Sequence, residues 1–193
     1  LAADAVILAV PHEEAADLLP AAARVDRAGL RALGRAPIVN LHVVFDRPVL
    51  PYPFLAGIDT PLQWSFDRTR GAGLERGQYV AVSLSAADAW VGVAQAELRS
   101  HFLPAFEALL PAARGARVDD FFVTVERAAT FRQGPGTRAA RPGPDVGLPG
   151  VFVAGAWTDT GWPATMESAV RSGTSAALAA LRSLARAPAR SAA

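Results

Sequence analysis

The sequence contains no cysteine and no lysine, since all of its basic residues are arginines. Without cysteine the chain has no disulfide bond, no thiol nucleophile, no iron–sulfur cluster and no cysteine-type zinc site. Without lysine it has neither the phosphate-binding lysine of a P-loop nor a lysine for Schiff-base chemistry. The three histidines, His12, His42 and His101, do not pair at ligand spacing, so we expect no metal site.

The sequence also has no large excess of charge of one sign and no long apolar run. The 19 basic and 18 acidic residues leave a formal net charge of +1, which argues against nucleic acid as a partner. No run reaches the roughly 18 apolar residues of a membrane span, and no signal peptide is recognisable. The chain opens without methionine, almost directly on a strand-like run, so we expect a fragment whose upstream part is missing.

The 193 residues are 51% hydrophobic, which is enough to fill a core. Two short apolar runs, at 5–10 and 151–155, are typical of strands buried on both faces of a parallel sheet. The pattern predicts a short helix after the first run, from His12 to Leu19, and a long one after the second, from about Pro163 to Leu184. The apolar stripe predicted for the long helix consists of Met166, Ala169, Val170, Gly173, Ala177, Leu181 and Leu184.

The middle of the chain alternates between apolar and polar residues in four segments. These segments lie at 38–45, 62–67, 80–85 and 121–126. Alternation with period two predicts half-buried strands of an antiparallel or mixed sheet. A helix is predicted over Trp90–Leu110, kinked or restarted at Pro104, and a long loop over 130–150, which is rich in Gly, Pro and Arg. The predicted fold class is α/β with an α+β insertion.

One segment, Val151–Gly173, reads V-F-V-A-G-A-W-T-D-T-G-W-P-A-T-M-E-S-A-V-R-S-G. It predicts a buried strand, a tight turn and a helix that begins near the carboxyl end of the strand, where ligands bind in open α/β sheets. Free amides of the first helical turn can hold an anion, and Pro163 suits the first helical position. Gly155 and Gly161 allow close approach of a bulky group. A strand–turn–helix unit that serves packing alone has the same pattern.

The segment resembles the carboxy-terminal FAD-binding motif of the amine oxidase/phytoene desaturase superfamily, which runs A-G-(acidic)-x-T, then a short loop, then M-E-G-A-x-x-S-G. The string T-D-T-G-W-P-A-T-M-E-S-A-V-R-S-G is similar to one branch, the squalene-associated flavoproteins called hydroxysqualene dehydroxylases. Four further segments are similar to the same branch: Ala3–Pro11, Pro37–Val49, Pro61–Arg68 and Ala129–Phe131.

The resemblance implies the carboxy-terminal part of an FAD-binding Rossmann-like domain with an inserted mixed or antiparallel-sheet substrate domain. It divides the chain into an FAD-domain strand (1–11), a substrate-binding domain (12–127), a carboxy-terminal FAD-binding segment (128–187) and a frayed tail (188–193). The long helix is implied to point its N-terminus at the flavin N1–C2=O edge. The residues implied to lie near FAD are Gly155, Ala156, Trp157, Thr158, Asp159, Gly161, Trp162, Pro163, Ala164, Thr165 and Met166.

Departures from the family motif bear on cofactor binding. Ala156 stands where the family has an acidic residue that contacts the ribityl or ribose region, and the amino-terminal G-x-G-x-x-G fingerprint is absent. The nearest string, Gly71–Arg76, ends in Arg and precedes a strand-like run, which indicates a hairpin loop. We therefore expect the fragment to bind FAD poorly by itself and the activity to belong to the full-length protein.

For a substrate pocket the candidates are His42, Trp64 and Phe66, because a pocket for an isoprenoid chain needs apolar walls. Ordinary packing, or a solvated strand histidine, explains the same residues. Three arginines of the predicted loop have two possible roles. They fit contacts to FAD phosphates or anionic lipid, and they equally fit a solvated loop: Arg132, Arg138 and Arg141. No residue is assigned as catalytic.

The reaction implied by the resemblance is the reductive removal of the hydroxyl group of hydroxysqualene, which gives squalene for hopanoid synthesis. The C–OH bond would ionise and reduced flavin N5 would deliver hydride. The implied partner is a long-chain isoprenoid, and we expect a cytoplasmic protein in peripheral contact with the inner face of the membrane. Two alternatives remain open: a related carotenoid-type desaturase or flavin amine oxidase, and a non-catalytic module that binds apolar ligands.

Overall fold

The computed structural model of this chain describes residues 2–186, and these form two compact units. The first unit comprises residues up to Arg35 together with those from Thr130 onward, and the second comprises Ala36–Ala129. The first boundary therefore differs from the one predicted at residue 12, because the helical segment after the first strand packs with the first unit. The predicted frayed tail, 188–193, lies outside the described residues.

Eight strands and four α-helices make up the described chain. The strands are β1 (Val6–Leu8), β2 (Arg35–Phe45), β3 (Phe54–Ala56), β4 (Trp64–Asp67), β5 (Gln78–Ser85), β6 (Val118–Phe131), β7 (Asp145–Leu148) and β8 (Val151–Val153). The helices are α1 (His12–Leu18), α2 (Arg27–Ala32), α3 (Gln95–Leu109) and α4 (Met166–Arg186). The elements that the sequence patterns did not predict are α2, β3 and β7.

The first unit is built on a three-stranded sheet in the order β1-β8-β7. Strands β1 and β8 run parallel, with Ile7 opposite Phe152, as the two apolar runs predicted. The prediction that β1 is buried on both faces was wrong, since Val6 and Ile7 are 44% and 41% exposed. Strand β7 is antiparallel to β8 and lies within the segment that was predicted to be a loop. Its tight link to β8 contains Gly150 with a φ of 73°, a backbone conformation that glycine adopts readily.

Apolar side chains form two clusters in this unit. One joins α1 and α2 to the sheet through Ala15, Leu30 and Val153 among others. The other joins α4 to the sheet and includes Phe152 and Ala176.

Helix α4 buries a different face from the predicted apolar stripe. Its buried residues are Ser168, Ser172, Ala176 and Ala180, and the larger residues Met166, Val170 and Leu181 are exposed. The four buried side chains are small, so the helix can approach the sheet closely. The predicted stripe was wrong because apolar spacing identifies an amphipathic helix but does not reveal that small residues form the contact with this sheet.

The second unit is built on a five-stranded sheet in the order β3-β4-β5-β2-β6. The pairs β3–β4, β4–β5 and β2–β5 are antiparallel, as the alternating segments predicted. Because side chains alternate between the faces of a strand, one face of β2 buries Val39, Leu41 and Val43. Residues 68–77 join antiparallel β4 to β5, which confirms the predicted hairpin loop.

Helix α3 covers the buried face of this sheet. It begins at Gln95 rather than at Trp90, which lies in a short 3-10 turn, and it continues through Pro104 without a break. Phe102 and Phe106 are fully buried, and the ring of Phe106 meets that of Phe45 edge-on at 5.5 Å. The opposite face of the sheet, which we call the outward face, carries the polar and aromatic members of the alternating strands.

Candidate functional site

A crevice of about 330 Å³ opens at the carboxyl ends of β1 and β8. Its walls are the segments Ala9–Pro11 and Ala154–Trp157 together with Ala169, Ser172 and Gly173 of α4. Because β1 and β8 are parallel, both chains leave the sheet at the same edge, and ligands bind at such edges in α/β folds. Small side chains therefore surround a cleft in which backbone groups are accessible.

Gly155 turns the chain sharply at the end of β8, with a φ of 152°. Its amide donates a hydrogen bond to Ser172 Oγ over 2.8 Å, which fixes the turn to α4. A Cβ atom at this position would lie 2.2 Å from Trp157 Nε1. Within the described chain, the indole of Trp157 is therefore a bulky group that requires glycine at this position.

The side chain of Trp157 belongs to the core of the first unit. It packs in the cluster formed with α1 and α2, and its indole N–H donates to the carbonyl oxygen of Val10 over 2.9 Å. The residue takes part in lining the crevice, but its polar atom is used within the protein.

The side chain of Arg141 holds the turn after β8 in place through hydrogen bonds. Its guanidinium donates hydrogen bonds to four carbonyl oxygens of the turn, those of Ala156 at 3.0 Å, Trp157 at 3.3 Å, Thr158 at 2.6 Å and Trp162 at 2.9 Å. The guanidinium also lies over the ring of Phe131, 5.1 Å from its centroid. Burial lowers the pKa of Arg141 from its usual value, although arginine stays charged in proteins.

This role of Arg141 was not predicted. The sequence grouped it with two other arginines of the same loop, which the structure places differently. Arg138 is exposed, with its Nε 3.6 Å from the carboxylate of Asp159, and Arg132 donates to the carbonyl oxygen of Arg35 over 2.9 Å. No pattern in the sequence distinguishes Arg141, because its partners are backbone carbonyls that any residue supplies.

Hydroxyl groups tie the turn to the first turn of α4. Ser168 Oγ donates to the carbonyl oxygen of Ala156 over 3.1 Å and lies 2.6 Å from Thr160 Oγ1. Thr158 Oγ1 donates to the carbonyl oxygen of Gly155 over 3.0 Å. Ser168 stands where the family motif has glycine, and its hydroxyl group holds the backbone of Ala156.

Helix α4 begins at Met166 rather than at Pro163. The side chain of Thr165 caps it, because Thr165 Oγ1 accepts a hydrogen bond from the amide of Ser168 over 3.2 Å. The amides of Met166 and Glu167 have no acceptor within the helix, and the Met166 side chain is 88% exposed. Glu167 pairs with Arg171, whose guanidinium lies over the Trp162 ring.

The remaining predicted residues occupy the same turn. Asp159 accepts a weak hydrogen bond from the amide of Gly161 over 3.3 Å, and the amide of Ala164 donates to Gln133 Oε1 over 2.9 Å. Gly161 has a φ of 75°, and no atom of the described residues lies within 4 Å of an added Cβ, so its backbone conformation rather than packing within this chain requires glycine. The cleft and the free amides at the start of α4 suit an anionic or polar part of FAD. The hydroxyl groups of Thr158 and Ser168 donate to carbonyl oxygens within the protein, and Ala156 supplies no carboxylate to the ribityl or ribose region.

The second unit holds the residues predicted for the substrate pocket. Trp64 and Phe66 stand on the outward face, where their rings and that of Phe54 are 6.4 Å apart in each pair. With Ser83 these three rings line a pocket of about 360 Å³. His42 is on the same face, because it lies opposite Ala81 and Ala81 lies opposite Phe66.

His42 belongs to a cluster that the sequence did not predict. Its Nδ1 is 2.7 Å from the hydroxyl group of Tyr79, and its Nε2 is 3.0 Å from Thr124 Oγ1. The ring of Phe122 stacks on the imidazole at 4.4 Å. The alternation that exposed His42 also places Tyr79 and Thr124 at outward positions, but register was needed to bring the three together.

Among residues 2–186, which the structure describes, no helix is both long and apolar enough to cross a bilayer. No group of three or more His, Asp or Glu side chains there converges on a point where a metal ion would be bound.

Known proteins resemble this chain in sequence and in fold. Residues 1–181 match the family model described as flavin containing amine oxidoreductase. A hydroxysqualene dehydroxylase from Sinorhizobium fredii is 36% identical over 180 residues, which are 92% of this chain and 39% of that protein. One from Rhodopseudomonas palustris is 36% identical over 176 residues, or 90% and 38%. The chain thus spans about two-fifths of these relatives.

Among solved structures, the cyclohexylamine oxidase from Brevibacterium oxydans matches with a TM-score of 0.65 at 21% identity, covering 93% of this chain and 43% of that one. An oxidoreductase from Methanosarcina mazei matches with a TM-score of 0.67 at 15% identity, covering 91% and 43%. These likenesses confirm the predicted α/β fold class.

Proposed function

This chain belongs to the flavin containing amine oxidoreductase family, and on that premise we propose that the protein is an FAD-dependent oxidoreductase that converts hydroxysqualene to squalene. The flavin cofactor and the superfamily resemblance predicted from the sequence are both confirmed at the level of the family. The substrate and the direction of the reaction are the proposal.

The observation that carries the proposal is the extent of the sequence match. Identity of 36% extends over nine-tenths of this chain in the two hydroxysqualene dehydroxylases, so it includes both units and not only the motif that flavoproteins share. The likeness to amine oxidases, by contrast, is one of fold. A place in hopanoid synthesis is part of the same proposal and rests on squalene as the product.

The crevice supplies groups that would hold the cofactor. The backbone of Gly155 and Ala156 lines it, and the first amides of α4 would face negative charge on the flavin ring. Arg141 would keep the carbonyl groups of this turn pointing away from the cofactor, since it binds four of them. Bound FAD supplies hydride when reduced, and the substrate hydroxyl leaves with a proton as water.

The aromatic pocket on the outward face of the second unit would hold the hydrocarbon chain. Phe54, Trp64 and Phe66 offer ring surfaces with few competing polar groups, and exclusion of water would favour hydride transfer over side reactions. The structure brings the predicted residues Trp64 and Phe66 into one pocket, which supports this assignment.

The proposed activity also requires a part of the protein that lies outside this chain. The relatives are more than twice as long as the matched segment, and we propose that an amino-terminal FAD-binding half completes the cofactor site. The exposed apolar residues Val6, Ile7 and Val170 of the first unit support this, because large apolar side chains favour burial.

Peripheral membrane contact is proposed because the substrate is a hydrocarbon that partitions into bilayers. Tyr52 and Ile58, near β3, are 64% and 83% exposed and would insert at a lipid surface. Sedimentation of the full gene product with anionic vesicles tests this. Binding that weakens in an Ile58→Ser variant would support the proposal, and absence of binding would reject it.

The reaction itself is tested with the full gene product. We expect the purified protein to be yellow, to release FAD on denaturation and, after anaerobic reduction, to convert hydroxysqualene to squalene with one squalene formed per flavin reoxidised. A colourless protein would instead favour the non-catalytic ligand-binding module. A flavoprotein that is reduced by an amine or a carotenoid precursor and leaves hydroxysqualene intact would favour the oxidase or desaturase alternative.

A further inference from the structure

The outward face of the second unit contains a trough whose floor is made of small side chains. Ala81 and Ser83 of β5 lie between Phe66 and Trp64 of β4 on one side and His42 and Asn40 of β2 on the other. Neighbouring strands are about 4.8 Å apart, so the two walls stand about 10 Å apart across β5. A single hydrocarbon chain fits a trough of that width.

The two walls differ in chemistry. The wall on β4 is aromatic and is extended by Phe54 of β3. The wall on β2 contains His42, whose imidazole contacts Tyr79 of β5 and Thr124 of β6. We call these three residues the hydroxyl cluster. The trough is formed by β2, β4 and β5, whose outward positions fall within 38–44, 64–66 and 79–85. When histidine is neutral, no side chain at these positions carries a formal charge. The trough therefore suits a ligand that is uncharged, mostly apolar and polar at one point.

The hydroxyl cluster has unused hydrogen-bonding capacity. Burial lowers the pKa of His42, so the imidazole is neutral at pH 7 and has one N–H and one acceptor nitrogen. One of the two hydroxyl groups must then donate to the ring and the other must accept from it. The accepting hydroxyl keeps its own hydrogen for another partner, and the donating hydroxyl keeps its lone pairs.

An alcohol is the ligand group that matches this arrangement. It both donates and accepts, so it can bind Tyr79 or Thr124 whichever tautomer His42 adopts. Within the described part of the chain, the hydroxyl groups of Tyr79 and Thr124 bond to no side chain other than His42. The Phe122 ring stacks on His42 with an interplanar angle of 11° and so keeps the imidazole in place.

We propose that the trough binds a long-chain isoprenoid alcohol, with the hydrocarbon on the aromatic wall and the alcohol group on the hydroxyl of Tyr79 or Thr124. In this arrangement Tyr79 and Thr124 determine specificity for the alcohol over the hydrocarbon, and His42 is a positioning residue that orients both hydroxyl groups. The inference rests on the proposed function for the choice of isoprenoid, and it adds the residues that distinguish substrate from product.

The test measures the ratio of two affinities in the full gene product. Hydroxysqualene and squalene are presented in the same detergent micelles, and the dissociation constant of each is determined for the wild type and for a Tyr79→Phe/Thr124→Val double variant. Both substitutions nearly preserve side-chain volume. The matched control is Ser85→Ala, which removes a hydroxyl group from the same strand face outside the cluster.

We expect the wild type and the control to bind hydroxysqualene about ten-fold more tightly than squalene, as one hydrogen bond in an apolar site provides. The double variant should bind both ligands equally, with its affinity for squalene within two-fold of wild type. The inference would be overturned by a wild-type protein that binds hydroxysqualene and squalene equally. It would also be overturned by a double variant that still prefers hydroxysqualene, or that loses affinity for both ligands in parallel. If the preference depends on the cluster but no squalene forms, the inference stands and the proposed reaction fails.

Discussion

The indole N–H of Trp157 donates a hydrogen bond to the carbonyl oxygen of Val10 over 2.9 Å. Trp157 lies in the turn after β8, and Val10 lies in the segment after β1, so the bond joins the two chains as they leave the parallel pair of strands. Both residues line the crevice. The wall of the candidate cofactor site is therefore held by a side chain that is itself 96% buried, since only 4% of Trp157 is exposed.

Replacing Trp157 by phenylalanine keeps an aromatic ring in the core but leaves the Val10 carbonyl without its partner. An unsatisfied, partly buried acceptor and the lost ring volume should together lower the free energy of unfolding by about 2 kcal/mol. Chemical denaturation of the full gene product measures this. Trp162→Phe, at a residue that is 42% exposed, is the control and should shift the midpoint little; an equal shift for both variants would contradict the account.

Gly155→Ala should be more disruptive than Gly161→Ala, although both glycines have positive φ. At Gly155 the new Cβ would lie 2.2 Å from the Trp157 indole, whereas at Gly161 it would meet no atom within 4 Å. We expect Gly161→Ala to cost about 1 kcal/mol through backbone strain alone and Gly155→Ala at least about 2 kcal/mol more. Thermal unfolding of the two variants compares them, and similar midpoints would show that the indole does not require glycine.

Arg141→Lys should weaken FAD binding, because a lysine ammonium has the charge of arginine but not its planar fork of donors. The four carbonyl groups of the turn would then be free to rotate toward the cofactor. We expect the dissociation constant of FAD to rise about ten-fold or more, equivalent to about 1.4 kcal/mol. Titration of the deflavinated full gene product measures it.

Arg138→Lys is the matched control for that experiment. Arg138 is in the same loop, and its exposed side chain faces Asp159 at 3.6 Å, an ion pair that contributes little at a surface. Its FAD affinity should equal that of the wild type. If both arginine variants lose FAD affinity equally, the loop charge rather than the anchoring of the turn determines binding.

His12 should make the protein less stable in weak acid. Burial lowers its pKa below the ordinary value of 6.5, and Arg35 lowers it further, while Glu13, Glu14 and the backbone of Gly34 act in the opposite direction. The unfolded chain then takes up a proton more readily than the folded one, so stability falls as the pH drops from about 6.5 through the lower folded pKa. Within the part of the chain that the structure describes, its Nε2 has no hydrogen-bond partner, which fits a neutral ring.

A His12→Gln variant tests this through the free energy of unfolding between pH 5 and pH 8. The loss of stability below pH 6.5 should become smaller, though not vanish, because burial also lowers the pKa of His42. An identical profile for wild type and His12→Gln would contradict the assignment.

The sequence predicted the parts of the fold that depend on local pattern. The apolar runs at β1 and β8 and the alternation in β2, β4 and β5 depend only on which residues face the core, and the structure contains all five strands. Helix α2 was missed because its six residues are too few to show a periodicity. Strand β7 was missed because its four residues, one of them Gly147, lie in a segment rich in turn residues.

The sequence predicted which segment forms the candidate site, but not which side chains surround that segment in space. The family motif identified the turn from Gly155 to Met166, whereas the side chains that hold it come from distant positions such as Arg141. The hydroxyl cluster likewise depends on the pairing of strands, which sets Tyr79 and Thr124 beside His42. Long-range register is not encoded in a single-sequence pattern, so these residues required the structure.

The most direct test of the account is a crystal structure of the flavin-bound full gene product. We predict that the isoalloxazine ring lies in van der Waals contact with the segment from Gly155 to Met166, with its N1–C2=O edge within hydrogen-bond distance of an amide in the first turn of α4. The crystals would be grown at saturating FAD. A ring bound elsewhere, or a segment that touches no part of the cofactor, would contradict the central claim.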